Sequence, residues 1–171
     1  MQNREAEKAF EKSIREHEGL LRKVCRIYAS TDADRQDLFQ EMVIQLWKAY
    51  PKFKGEAKFS TWLYRVAINT AITGLRRKKD FITSVEPESL PHNSSDETSG
   101  KAEEERLQQL YQAIAQLNEV EKAIVMLYME DRTYDEMEDI LGISNSTLRV
   151  KMNRIKEKLR LLTKTIDHGT R

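Results

Sequence analysis

One stretch of this sequence cannot fold by itself, and it decides how the rest is organised. Residues Phe81 to Gly100 read FITSVEPESLPHNSSDETSG and hold two of the three prolines beside a run of Ser, Asp and Glu. That composition is too polar to bury a core. It divides the 171 residues into two segments, each the size of a small domain. The expected domains are residues 9–80 and 102–163, with a flexible acidic linker over 81–101. Charge follows the same division. Residues 1–85 carry 17 basic against 11 acidic side chains, residues 86–105 carry 1 against 7, and residues 106–171 carry 11 against 10. The net charge of +1 argues against a non-specific polyanion binder and leaves room for local basic patches.

Each domain reads as all-α. Six glycines and three prolines are too few for a turn-rich β fold. The first domain predicts three helices. The first runs from Arg4 to Tyr28. The second spans Asp34 to Tyr50, is stopped by Pro51 and carries Leu38, Phe39, Met42, Val43, Leu46, Trp47 and Tyr50 on one buried stripe. The third runs from Ser60, read as its N-cap, to Lys79. The second domain predicts four helices. The first is Ala102 to Leu117. Asn118 with Glu121, and Thr133 with Glu136, each open a helix with a capping-box pattern. Gly142 ends the short third helix. The last runs from Asn145 to Leu162, with Leu148, Met152, Ile155, Leu159 and Leu162 as its core seam.

Catalytic chemistry finds little footing. His17, His92 and His168 are scattered, and none pairs with Cys25 at metal-ligand or nucleophile–base spacing. Glycine-rich phosphate loops are absent. The expectation is a non-enzyme with no metal and no cofactor. A single cysteine, a charged N-terminus and no apolar run long enough to cross a bilayer point to the cytoplasm, without membrane insertion.

The sharpest local pattern is TYDEMEDILGISNSTLRVKMNRIKEKLRLL. A short helix, a glycine and a longer basic helix form a helix-turn-helix. With Leu148 facing the core, Ser146, Val150 and Asn153 face outward, flanked by Arg149 and Arg154, with Thr147 and Lys151 nearer the edge. Short polar groups, forked arginines and a valine suit base edges in a major groove. Lys156, Lys158 and Arg160 are placed for phosphates or for the helix dipole.

The third helix carries a second stripe. Leu63, Val66, Ala67, Thr70 and Gly74 read as its core face. Trp62, Arg65, Asn69, Ile72 and Arg76 lie opposite, continued by Arg77, Lys78 and Lys79 and preceded by Lys58 and Phe59. Aromatic and cationic groups together suit unpaired nucleic acid. On residue type alone, packing of Phe59 and Trp62 on the first two helices is the simpler reading. The second helix presents Asp37, Gln40, Glu41 and Gln45 beside its apolar stripe, which by itself is only amphipathic.

The run DRQDLFQEMVIQLWKAYPKFKGEAKFSTWLYRVAINTAITGLRRKKD resembles the second conserved region of bacterial sigma-seventy-type factors of the extracytoplasmic-function group. The helix-turn-helix resembles their fourth region, and the two blocks stand in the family order. The resemblance covers roughly Ala9 to Leu162. It implies an alternative sigma factor with two partners, core RNA polymerase and promoter DNA. Asp37, Leu38, Gln40 and Glu41 would dock on the clamp helices of the polymerase's largest subunit. Lys58, Phe59, Trp62, Arg65, Asn69, Arg76 and Arg77 would melt the downstream promoter element and hold its flipped bases. Ser146, Thr147, Arg149, Val150, Lys151, Asn153 and Arg154 would read the upstream element as duplex. With no appended sensor domain after Leu162, regulation is expected from another protein, an anti-sigma factor being the expected further partner, or from expression level. The alternative is a conventional helix-turn-helix regulator that binds duplex DNA without polymerase.

Overall fold

The computed structural model describes the backbone of residues 2–82 and 100–168 and the side chains of residues 3–78 and 100–165. Most of the expected linker, residues 83–99, lies outside the described residues. The described residues form two compact units, and all their regular structure is helical.

The first unit contains α1 (Gln2–Glu16), α2 (Glu18–Tyr28), α3 (Asp32–Ala49), a 3-10 turn (Tyr50–Lys52) and α4 (Phe59–Ile82). The single helix expected over Arg4 to Tyr28 is two. The His17 backbone N–H bonds Ile14 at i−3, 3.1 Å away, and the His17 ring nitrogen Nδ1 lies 2.8 Å from the Ser13 carbonyl left over. A side chain thus takes the place of one ladder hydrogen bond, and the chain turns there. Thr31 caps α3 by accepting from the Asp34 N–H at 3.1 Å. α3 ends at Ala49, and Tyr50 to Lys52 tighten into the 3-10 turn with Pro51 at its start.

Leu21, Val24, Met42, Leu46, Leu63, Tyr64, Ala67, Ile68 and Ala71 build the core of this unit. The expected stripe on α3 is narrower than its spacing suggests. Only Met42 and Leu46 are buried, while Trp47 is 38% exposed. α4 is rotated from its expected face. Tyr64 and Ile68 replace Val66, Thr70 and Gly74 in the core, and Gly74 is exposed. α4 is packed on both α2 and α3. A helix wedged between two others buries a wider arc than one periodic stripe defines. Ser60 is not the N-cap, because α4 already begins at Phe59 and the Lys58 carbonyl accepts from the Trp62 N–H at 3.1 Å. Cys25, on the buried face of α2, has its thiol pushed up to about 11 by burial.

The second unit contains α5 (Lys101–Ala115), α6 (Glu119–Met129), α7 (Tyr134–Leu141) and α8 (Asn145–His168). Both expected capping boxes are formed, by Asn118 with Glu121 and by Thr133 with Glu136. Asp131 closes α6 in a left-handed conformation (φ 54°). The Arg132 N–H then bonds the Leu127 carbonyl and the Asp131 N–H bonds that of Tyr128, both at 3.1 Å, the Schellman pattern. Gly142 (φ 68°) ends α7 in the same conformation without a Cβ penalty. Ile114, Ile124, Leu127, Met137, Leu148, Met152 and Ile155 form the core, with α8 packed on α5, α6 and α7.

One ion pair braces α3 against α4. Lys78 Nζ donates to Asp34 Oδ1 at 2.7 Å. That hydrogen bond holds the Asp34 carboxyl below its ordinary value of 3.8. A depressed carboxylate pKa stabilises the fold above the ordinary pKa, and the contribution is lost as pH falls through the folded value. Asp34→Asn should therefore lower stability at pH 7 by about 0.2–1 kcal/mol, as for other surface pairs. The gap in thermal midpoint between variant and parent should close in acid, below the ordinary carboxylate range. A gap that persists there would mean that Asp34 acts by packing.

A Cβ built at Gly74 meets no atom within 4 Å. Gly74→Ala should therefore stabilise the chain by about 0.4–1 kcal/mol through loss of backbone freedom in the unfolded state. Urea denaturation would reveal it, and a destabilised variant would contradict the open space around this residue.

Candidate nucleic-acid interface

Each unit presents one helix whose outward face is polar and cationic. In the first unit it is α4. Arg65, Asn69, Arg76 and Arg77 are exposed along it, with Lys58 exposed just before its start. Phe59 and Trp62 are half-buried, and the reason is a chain of aromatic rings. Phe10 lies 5.0 Å from Trp47 and 5.1 Å from Tyr50. Trp62 follows at 6.4 Å from Tyr50 and 5.0 Å from Phe53. Phe59 closes the series at 5.3 Å from Trp62, 5.6 Å from Phe53 and 5.0 Å from the His17 ring. Tilted and edge-on pairs at such spacings attract beyond their buried area. The kink at His17, the 3-10 turn and the start of α4 therefore hold one another in place. The loop from Phe53 to Phe59 is anchored at both ends by these rings. Its centre, Lys54 to Glu56, is exposed, with Gly55 in the left-handed region (φ 71°).

Asp37, Gln40 and Glu41 lie on the exposed side of α3, with Leu38 half-buried beside them. Glu41 accepts from Gln45 Nε2 at 2.7 Å. These two residues and Asn69, Thr73, Gly74 and Arg77 border a groove of about 370 Å³ between α3 and α4. Glu41 of the expected docking set thus shares a groove with Asn69 and Arg77 of the expected strand-capture set. The period of either helix alone does not reveal this, because the groove exists only where the two helices pack.

In the second unit the face belongs to α8. Ser146, Thr147, Arg149, Val150, Lys151, Asn153 and Arg154 are all exposed, whereas Leu148, Met152 and Ile155 are buried. Val150 is 51% exposed, an apolar group standing in water on a polar face. Ser144 accepts the Leu148 N–H at 2.9 Å through its carbonyl, and its hydroxyl lies 2.8 Å from that of Thr147. Lys151 and Arg154 also border a groove of about 320 Å³ with Asn118 and Glu121.

The cations further along α8 are engaged within the unit. Lys156 donates to the Tyr128 hydroxyl at 3.1 Å and lies over its ring at 4.6 Å. Lys158 pairs with Glu121 at 3.0 Å and Arg160 with Glu157 at 2.6 Å. These contacts are on the exposed surface of the unit: α6 lies close enough to partner both lysines, and Glu157 stands one turn before Arg160.

Sequence reading missed the contacts around Arg149. Asn145, at the first turn of α8, accepts from Arg149 Nε at 2.7 Å and donates to Asp135 of α7 at 2.5 Å. The Arg149 guanidinium lies over the Tyr134 ring at 4.6 Å. The i,i+4 spacing of Asn145 and Arg149 was visible in the sequence. The α7 half of the contact was not.

Among the described residues no cluster of three or more His, Cys, Asp or Glu could hold a metal ion, and no helix is long and apolar enough to cross a membrane.

Comparison with known proteins covers both units. Residues 13–81 match the family described as Sigma-70 region 2, and residues 107–159 match Sigma-70, region 4. The ECF RNA polymerase sigma-E factor of Escherichia coli (strain K12) is 28% identical over 137 residues, which span 74% of this chain and 72% of that protein. The ECF RNA polymerase sigma factor SigM of Mycobacterium tuberculosis (strain ATCC 35801 / TMC 107 / Erdman) is 25% identical over 162 residues, or 94% of this chain and 80% of that one. Among solved structures, the sigma factor RpoE in complex with the anti-sigma factor NepR from Bartonella quintana has a TM-score of 0.74 at 19% identity, covering 92% of this chain and 98% of that chain. CnrH in complex with the cytosolic domain of CnrY has a TM-score of 0.65 at 17% identity, covering 93% and 90%. Identities this low speak to the fold alone. The two conserved regions in their order, with relatives of one kind, decide the family: the chain belongs to the sigma-seventy-type transcription initiation factors, in the extracytoplasmic-function group.

Proposed function

We propose that this alternative sigma factor divides promoter recognition between its two exposed helix faces. The carrying observation is that α4 and α8, in separate units, each bury an apolar seam and turn arginine, asparagine and small polar groups outward. Asp37, Leu38, Gln40 and Glu41 of α3 dock the chain on core RNA polymerase. Lys58, Phe59, Trp62, Arg65, Asn69, Arg76 and Arg77 capture the melted downstream element. Half-buried aromatic rings at the start of α4 offer edges and faces for an unpaired base, and the cations hold the strand's phosphates. Ser146, Thr147, Arg149, Val150, Lys151, Asn153 and Arg154 read the upstream element as duplex. Each contact is weak alone. Joined through residues 83–99 and carried on polymerase, they act as one bivalent grip.

In this reading the chain supplies binding energy and performs no catalytic step, and it works in the cytoplasm. Structural neighbours solved with the anti-sigma factor NepR and with the cytosolic domain of CnrY support a protein inhibitor as a further partner. Run-off transcription with core polymerase on a promoter library tests the whole assignment. A chain that binds duplex DNA but never retains polymerase would be a conventional regulator instead.

Two substitutions separate the roles on α8. Arg149→Ala should relax discrimination at one base pair by about 1–3 kcal/mol. It lies nearer the helix N-terminus, which enters the groove deepest. Arg154→Ala should weaken all sites alike and reduce the salt dependence by about one phosphate contact. Competition binding of the holoenzyme on single-base promoter variants checks both, and a uniform loss for Arg149→Ala would exchange the assignments.

Asn69→Ala should leave the thermal midpoint nearly unchanged, because the side chain is exposed. It should slow open-complex formation on duplex promoters and do so less on a template mismatched across the downstream element, where unpairing is already done. Permanganate footprints of unpaired thymines on both templates measure this. Equal defects would place Asn69 outside strand capture.

A further inference from the structure

The contacts of Arg149 form a relay that runs from one helix of the helix-turn-helix to the other. Asp135 Oδ1 accepts from Asn145 Nδ2 at 2.5 Å, and Asn145 Oδ1 accepts from Arg149 Nε at 2.7 Å. This order admits one amide orientation. The flipped amide would set its oxygen against the Asp135 carboxylate and its NH2 group against the guanidinium. The backbone of Asn145 is held as well, since its N–H donates to Glu138 Oε2 at 2.9 Å. The Tyr134 ring, 4.6 Å from the Arg149 guanidinium carbon, supports the group from one side.

We propose that Asn145, with Asp135 and Tyr134, is a positioning residue that holds Arg149 aimed at one base pair of the upstream promoter element. The proposal rests on the reading of α8 as the base-contacting helix. Three physical points carry it. First, the relay uses only Nε, so the two terminal nitrogens keep the paired N–H groups that a guanine edge requires. Second, a neutral amide stands between the carboxylate and the guanidinium. The cation is steered without being neutralised, as it would be in a direct ion pair. Third, an unsupported arginine must lose its rotamer freedom when it meets DNA. One already held in the free protein has lost part of it beforehand. Because Tyr134, Asp135 and Glu138 belong to α7, the packing of the two helices sets the aim.

The test is selection of promoters by reconstituted holoenzyme from a library randomised across the upstream element, followed by sequencing. Arg149→Ala identifies the base pair concerned through a loss of preference of about tenfold. Asn145→Ala should lose roughly three- to fivefold at that same base pair, with other positions unchanged, the smaller share expected when a reader is loosened rather than removed. The double variant should equal Arg149→Ala alone, because the relay acts only through the arginine. Tyr134→Leu should resemble Asn145→Ala, whereas Tyr134→Phe, which keeps the ring face, should behave as the parent. Circular-dichroism melts establish that each variant is folded. If Arg149→Ala relaxes one base pair and neither Asn145→Ala nor Tyr134→Leu does, the relay is wrong and the reader stands. A change at a different base pair for Asn145→Ala would make Asn145 a reader itself and overturn the relay. A uniform loss at all positions would make its role structural. If Arg149→Ala relaxes nothing, the reader assignment falls and the relay with it.

Discussion

Both cores exclude charged and polar side chains: among the described residues none is buried except the two tyrosines Tyr28 and Tyr64. Units this small bury too little surface to offset an unpaired polar group, so charged residues are kept out of the core. That constraint shapes the rest of the molecule. It is why α4 and α8 sort so cleanly into an apolar seam and a cationic face. It also leaves the polar and cationic groups of the described residues on the surface and not in an enclosed core.

On the first unit, ring packing adds a second level of order. Phe10, Trp47, Tyr50, Phe53, Phe59 and Trp62 come from three helices, a 3-10 turn and a loop, yet they touch in series. The structural and DNA-facing readings of Phe59 and Trp62 are therefore compatible. A ring that braces a loop with one face can still offer an edge or a face to a base. The groove shared by Glu41, Asn69 and Arg77 brings α3, proposed to dock on polymerase, and α4, proposed to capture the strand, to one place.

On the second unit, order comes from polar contacts at helix ends. Two capping boxes, a Schellman turn at Asp131 and the left-handed Gly142 set where α6 and α7 begin and end. These devices satisfy the terminal N–H and C=O groups that the apolar core cannot. With α7 held at both ends, Asp135 and Asn145, at the start of α8, meet at 2.5 Å. A side chain on α7 can then influence how a side chain on α8 is held.

By itself the sequence determined what depends on neighbours along the chain. The helical class, the capping boxes at Asn118 and Thr133, the turn at Gly142 and the outward set from Ser146 to Arg154 all follow from spacings of three or four residues. Motif order was enough to indicate the family. What depends on another helix being present was decided only by tertiary structure. The break at His17 needs a ring that takes a carbonyl from the helix ladder and packs on Phe59. The burial of Tyr64 and Ile68 needs α4 to lie against two helices at once, which widens its buried arc beyond one periodic stripe. The exposure of Trp47, the engagement of Lys156 and Lys158 with α6, and the hold of α7 on Arg149 have the same origin. Periodicity reports which side of a helix is apolar, but the width of the buried arc and the partners of its polar edge belong to the neighbours that pack against it.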